Sequence, residues 1–209
     1  MTVTRSVSSG PGLLPVPHAT IESYMEIYLQ MNHVLYISCE RNLRQAFREL
    51  VETRRLQENS VVEFCLVLAL GSANSSGEAC REERRRISQF WLGEALNGLH
   101  LLGKFISKLP LMRILTLLSL YRLETCRDTA LRLLGKNSVL QPEGTDRTTD
   151  MSALALKIGR ANGLETEAFP LSSLHNEERT QWLRLWESLR FLHTVSIHYI
   201  LFEFNTYRS

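Results

Sequence analysis

Glu40-Arg41-Asn42-Leu43-Arg44-Gln45-Ala46-Phe47-Arg48-Glu49-Leu50-Val51-Glu52 is the stretch that decides the fold class. Its apolar residues Leu43, Ala46, Phe47, Leu50 and Val51 recur at i, i+3, i+4, i+7 and i+8, the spacing that lines one side of a 3.6-residue helix. Glu40, Arg41, Arg44, Arg48, Glu49 and Glu52 occupy the other side, and Ser38 is placed to cap the first turn with its hydroxyl. The pattern predicts an amphipathic helix with one buried stripe.

The same period extends in both directions. Residues 21–36 carry Tyr24, Ile27, Tyr28 and Met31 at helical spacing, with a short break before Ser38. Residues 61–70 are apolar except for Glu63 and read as a core helix ending at Gly71, although so short a run with several Val also fits a strand. Residues 78–99 restart with Arg81-Glu82-Glu83-Arg84-Arg85-Arg86, then place Ile87, Phe90, Trp91, Ala95 and Leu99 on a helical path. Residues 109–123 are apolar on nearly every side, the mark of a helix surrounded by others. Residues 124–134 continue amphipathically to Gly135, a natural C-terminal cap, and residues 136–149, with Pro142 and Gly144, are expected to form the longest internal loop.

Two further helices are expected. One covers residues 150–161 with Met151, Leu154, Ala155 and Ile158 inward, and Gly163 supplies its left-handed cap. The other starts near Asn176 with Glu177 and Glu178 in its first turn, and runs Trp182, Leu185, Trp186, Leu189, Leu192, Ser196, Ile197, Ile200 along its buried stripe. Small residues Ala155 and Gly159 would let these two helices approach closely, with the Trp186 indole filling the gap. The predicted fold class is all-α, an irregular multi-helix array. Residues 1–19, rich in Pro, Ser and Gly, are expected to be a disordered leader, and residues 20–209 one helical domain, expected to be incomplete at its C-terminal end where Ile197, Ile200, Leu201, Phe202 and Phe204 form an apolar terminus.

At 209 residues with 44% hydrophobic side chains, the chain can bury a core without staples. Its four cysteines, Cys39, Cys65, Cys80 and Cys126, include no C-x-x-C pair, which disfavours a self-contained zinc module and fits a reducing compartment. A net charge of +2 is too balanced to imply nucleic-acid binding by bulk charge. No apolar run reaches the length that spans a bilayer.

The same residues contain fragments of several catalytic patterns, none of them complete. Gly71-x5-Gly77 lacks the Lys-Ser/Thr of a phosphate loop and reads as a serine-rich turn. The three aspartates, Asp128, Asp146 and Asp150, do not cluster as a magnesium site requires. His193 and His198, five residues apart, stand about 140° apart around a helix, whereas i and i+4 ligands align. They read as partly buried polar residues, with His33 and His100 isolated. The Arg81 to Arg86 run, interrupted by two glutamates, reads as a solvated helix start, and Trp182, Trp186 and Phe191 as core before ligand groove. These readings assign no catalytic, cofactor-binding or metal residue and no cofactor.

The order of the segments carries a resemblance. Tyr28-Leu29-Gln30-Met31-Asn32-His33-Val34-Leu35-Tyr36 precedes Asn42 to Phe47; Leu68-Ala69-Leu70-Gly71-Ser72 follows, then Phe90-Trp91-Leu92-Gly93-Glu94-Ala95 and the leucine-rich residues 109–121. After them come Ala153-Leu154-Ala155-Leu156-Lys157-Ile158-Gly159-Arg160-Ala161-Asn162-Gly163-Leu164, and Glu177-Glu178-Arg179 through Arg184-Leu185-Trp186. This succession resembles the fungal-specific transcription factor domain, the helical middle homology region of binuclear zinc-cluster regulators. The six-cysteine DNA-binding cluster of such regulators is absent, and Glu165, Glu187 and His193 stand where other residues are common. The resemblance implies a non-enzymatic regulatory domain in the nucleus, modulating transcription through protein partners, self-association or an effector, without sequence-specific DNA contact of its own. A helical adaptor unrelated to transcription, or an enzyme with a Trp-lined pocket, are the alternatives.

Overall fold

The computed structural model describes residues 4–6, 16–53, 55–76, 81–102, 107–134, 145–161, 164 and 176–206. Among them lie seven helices: α1 (His18–Leu35), α2 (Glu40–Thr53), α3 (Glu58–Ala73), α4 (Arg81–Leu102), α5 (Lys108–Leu134), α6 (Thr145–Ala161) and α7 (Asn176–Thr206). The chain is all-α, and none of these helices is long and apolar enough to cross a membrane. Within the expected leader, Thr4–Ser6 (β1) pairs antiparallel with Arg55–Gln57 (β2), with Arg5 opposite Leu56. Where composition predicts one domain, the contacts divide the chain into two compact units, Met1–Pro110 and Leu111–Ser209, each described below by itself.

The first unit is built around α3. Val62 and every residue from Phe64 to Ser72 are buried, so this helix has no solvent face to speak of. That resolves the helix-or-strand ambiguity of residues 61–70 in favour of a helix. Gly71 does not end it; α3 continues to Ala73. The glycine instead lets α1 lie directly against α3, since a Cβ on Gly71 would stand 1.9 Å from the Tyr24 carbonyl oxygen. On another side α4 packs antiparallel, with Gly98 facing Val62 and the Ser88 hydroxyl donating to the Ala69 carbonyl at 2.8 Å.

α2, the helix with the clearest stripe, is peripheral: Leu43 and Ala46 are buried, Phe47 and Leu50 partly so, and Val51 is exposed. Strong amphipathicity marks a helix at a boundary with water, whereas a helix enclosed on all sides has no polar face to contrast with its apolar one. Ser38 does not cap α2. Its N–H donates to Asn32 Oδ1 at 3.0 Å, and its carbonyl accepts from Asn32 Nδ2 at 2.8 Å. The Tyr28 hydroxyl lies 3.2 Å from Asn32 Oδ1 and 3.1 Å from Ser38 Oγ. Because a phenol has one proton and an amide oxygen can only accept, the Tyr28 hydroxyl donates to Asn32 Oδ1 and accepts from the Ser38 hydroxyl. This network holds the α1–α2 corner, where Tyr36 adopts a left-handed conformation (φ 48°, ψ 36°) and its N–H closes on the Asn32 carbonyl at 2.7 Å.

In the second unit α5 runs unbroken through the two segments read from sequence, 109–123 and 124–134, and every residue from Met112 to Tyr121 is buried. Thr116 and Ser119 satisfy their hydroxyls on the carbonyls of Met112 and Leu115, each four residues back, so these polar side chains enter the interior at little cost. α6 begins at Thr145, within the stretch expected to be loop. Its end is closed by the Leu164 N–H donating to the Gly159 carbonyl at 3.1 Å, the six-residue closure that accompanies a left-handed helix cap; Gly163 itself lies outside the described residues.

α6 and α7 pack through Gly159 and Trp186 as the sequence predicts, but Leu154, expected to face inward, is 49% exposed, and the face turned to the interior is that of Ser152, Ala155, Leu156 and Gly159. Gly159 has no side chain where the Trp186 ring lies: a Cβ there would stand 2.3 Å from Trp186 Cζ3. Ala155, Trp182, Leu185, Trp186, Leu189 and Leu192 are all buried. Ile197 is instead 38% exposed, and the remaining apolar residues of the expected C-terminal patch lie outside the described side chains.

Candidate functional site

The second unit holds the polar pair of most chemical interest. Ser152 on α6 and His193 on α7 meet at 2.9 Å, Oγ to Nδ1. Ser152 and Gly159 are seven residues apart, as are Trp186 and His193, so the two contacts lie two turns apart on both helices and fix an antiparallel register. Ser152 is fully buried. His193 is half-buried, and its imidazole is held below the ordinary histidine range, first by loss of hydration and second by the positive charge of Arg160.

A serine hydrogen-bonded to a neutral histidine has the components of a nucleophile and its base. In acyl transfer, however, the third member must stabilise the imidazolium as it forms, which an anion does. Among the described residues the charge that acts on His193 is a cation, Arg160. Ser152 is fully buried as well, and the pair joins α6 to α7.

Sequence-selected residues fall as follows. His193 is partly buried, as read from its position on α7. The side chain of His198 lies outside the described residues, and His33 and His100 are exposed and apart. Trp182 and Trp186 are core, but Phe191 is 58% exposed and points away from them, so the three do not line one groove. Arg81 opens α4 with Glu82 and Glu83 in the first turn; Arg84 donates to the Ser75 carbonyl, and Arg86 pairs with Glu83 at 3.7 Å. Of the cysteines, Cys39 and Cys65 are free thiols, while Cys80 and the side chain of Cys126 lie outside the described residues, as do the side chains of Asp128, Asp146 and Asp150. Among the described residues no three His, Cys, Asp or Glu side chains converge as a metal site.

Sequence reasoning missed several polar features of the interior. Arg113, which interrupts the apolar run of α5, is 7% exposed and donates to Gln181 Oε1 at 2.5 Å. In the first unit, burial pushes the Cys65 thiol up to about 12, with Glu94 adding to the effect. The Trp91 indole Nε1 is buried and meets no acceptor among the described residues. The Ser152–His193 pair did leave a signal: Ser152 falls on the face of Ala155 and Gly159, and His193 continues the line of Trp186 and Leu189. No protein-family model, no curated protein and no solved structure matches the chain.

Proposed function

We propose that the chain is a non-catalytic helical regulatory domain that acts through protein partners, in the manner of the fungal transcription regulators its segment order resembles, and that it works in the nucleus. The observation that supports this reading most is the α6–α7 pairing. Two segments that stand next to each other in that order, residues 153–164 and 177–186, are the two that pack through Gly159 and Trp186. The inaccessible hydroxyl of Ser152 and the cationic neighbour of His193 support the non-catalytic half of the proposal.

The test is to tether the chain to an unrelated DNA-binding module upstream of a reporter in a fungal host. A reporter level that changes on tethering, and reverts when Gly159→Leu separates α6 from α7, is the expected result. A folded chain that leaves the reporter at the level of the module alone sinks the transcriptional reading and favours an adaptor unrelated to transcription.

A further inference from the structure

Among the described side chains of the α6–α7 interface His193 is the one imidazole, the side chain whose ordinary protonation range lies closest to neutrality, and it is bonded across the interface to a serine with no access to water. We propose that the Ser152–His193 bridge is an acid-sensitive latch, in which protonation of His193 loosens α7 from α6.

Both tautomers of His193 lead to the same outcome. If Nδ1 accepts from the Ser152 hydroxyl, its protonation turns the acceptor into a donor and the bond must be rebuilt. If Nδ1–H already donates to Oγ, the added proton goes to Nε2, and the bond survives beside a new positive charge. In both cases the charge is placed in a half-dry setting already influenced by Arg160. The charges on the described side chains of α6 beyond Ser152 are Lys157 and Arg160, both cationic. On α7 itself Arg190 stands one turn before His193, and Glu187 is on the exposed side. Nothing among these side chains is placed to compensate an imidazolium.

The sign follows from the depressed histidine. The folded state binds fewer protons than the unfolded one, so stability is intact above about pH 6.5 and is lost as the pH falls below it. For one proton the ceiling is about tenfold in the opening constant per pH unit. The α6–α7 pairing then opens in mild acid while Trp186, packed on Gly159, becomes solvated.

The experiment is hydrogen exchange of α6 and α7 amides in the full chain at pH 7.5 and 5.0, corrected for intrinsic rates, for the natural sequence and for His193→Gln. Expected is several-fold faster opening of these helices at pH 5.0, lost in His193→Gln, which keeps a polar group without a titration. Equal acceleration in both proteins, or none in the natural one, overturns the proposal. Should His193→Gln fail to fold, the NMR titration of His193 in the natural chain decides: a midpoint below the ordinary histidine range upholds the latch, and one at or above it overturns it.

Discussion

Gly71 in the first unit and Gly159 in the second both sit inside helices and both permit a neighbouring helix to come close, but they meet different things. At Gly71 the neighbour is backbone, the carbonyl of Tyr24, which cannot move unless α1 moves with it. At Gly159 the neighbour is the rim of an indole, Trp186, whose own torsions offer some escape. The first contact is a constraint between two main chains. The second is a fit between a missing side chain and a large one, and can be altered from either partner.

Removing the large partner should have the largest effect. Trp186→Ala deletes a buried indole and leaves the space above Gly159 empty, for an expected loss of about 3 to 5 kcal/mol, read as segment-resolved hydrogen exchange in α6 and α7. Protection there within 1 kcal/mol of the natural chain would show that Gly159 and Trp186 do not depend on each other. Gly71→Ala should follow at about 3 kcal/mol, the upper end for overpacking, because no rotamer relieves a clash between main chains. Its effect should appear in α1 and α3. Should it prove milder than Gly159→Ala, the distinction between backbone and side-chain contact fails.

Asn32→Ala removes both bonds to the Ser38 main chain and leaves its N–H and carbonyl without their buried partner, at about 2 kcal/mol, read by faster exchange at the α1–α2 corner. The smallest and most informative change is Gly159→Ala. Alone it should cost about 1 to 2 kcal/mol, and in a Trp186→Leu background nearly nothing, since the smaller side chain vacates the place the new methyl needs. Additive losses in that cycle would place the strain elsewhere.

These two glycines also show what could be read in the sequence. The Gly159 contact was legible because Ala155 and Gly159 repeat on the inward face of one amphipathic segment and Trp186 on that of another. Gly71 was not, because a glycine at the end of an apolar run looks like a stop signal, and whether a second helix crosses there is a property of the tertiary fold. α2 was found first and turned out peripheral for the reason that made it conspicuous. The start of α6 was missed because residues 145–149 are uniformly polar and follow Pro142 and Gly144, so they show no stripe. The division into two units was illegible as well: it falls at Pro110, inside the first turn of α5, with no change of composition to announce a linker. Of the candidate site, His193 was read as partly buried, but Ser152 was not on the face read as inward, since Leu154 of that reading is 49% exposed and Ser152 is buried, and only the antiparallel register brings Ser152 to His193.

The Cys65 thiol has a consequence in time. With its proton held up to about 12 by burial and its helix enclosed, it is all but absent as the thiolate that attacks a disulfide or an alkylating reagent. Labelling at this position must wait for α3 to become accessible, whereas Cys39, at partial exposure near the α1–α2 corner, need not. The ratio of the two labelling rates, read from separate peptides of one sample, therefore reports how often the interior of the first unit opens. Because a slow reagent tracks the population of open chains and a fast one the rate of opening, one cysteine already in the sequence can measure both the equilibrium and the kinetics of that event.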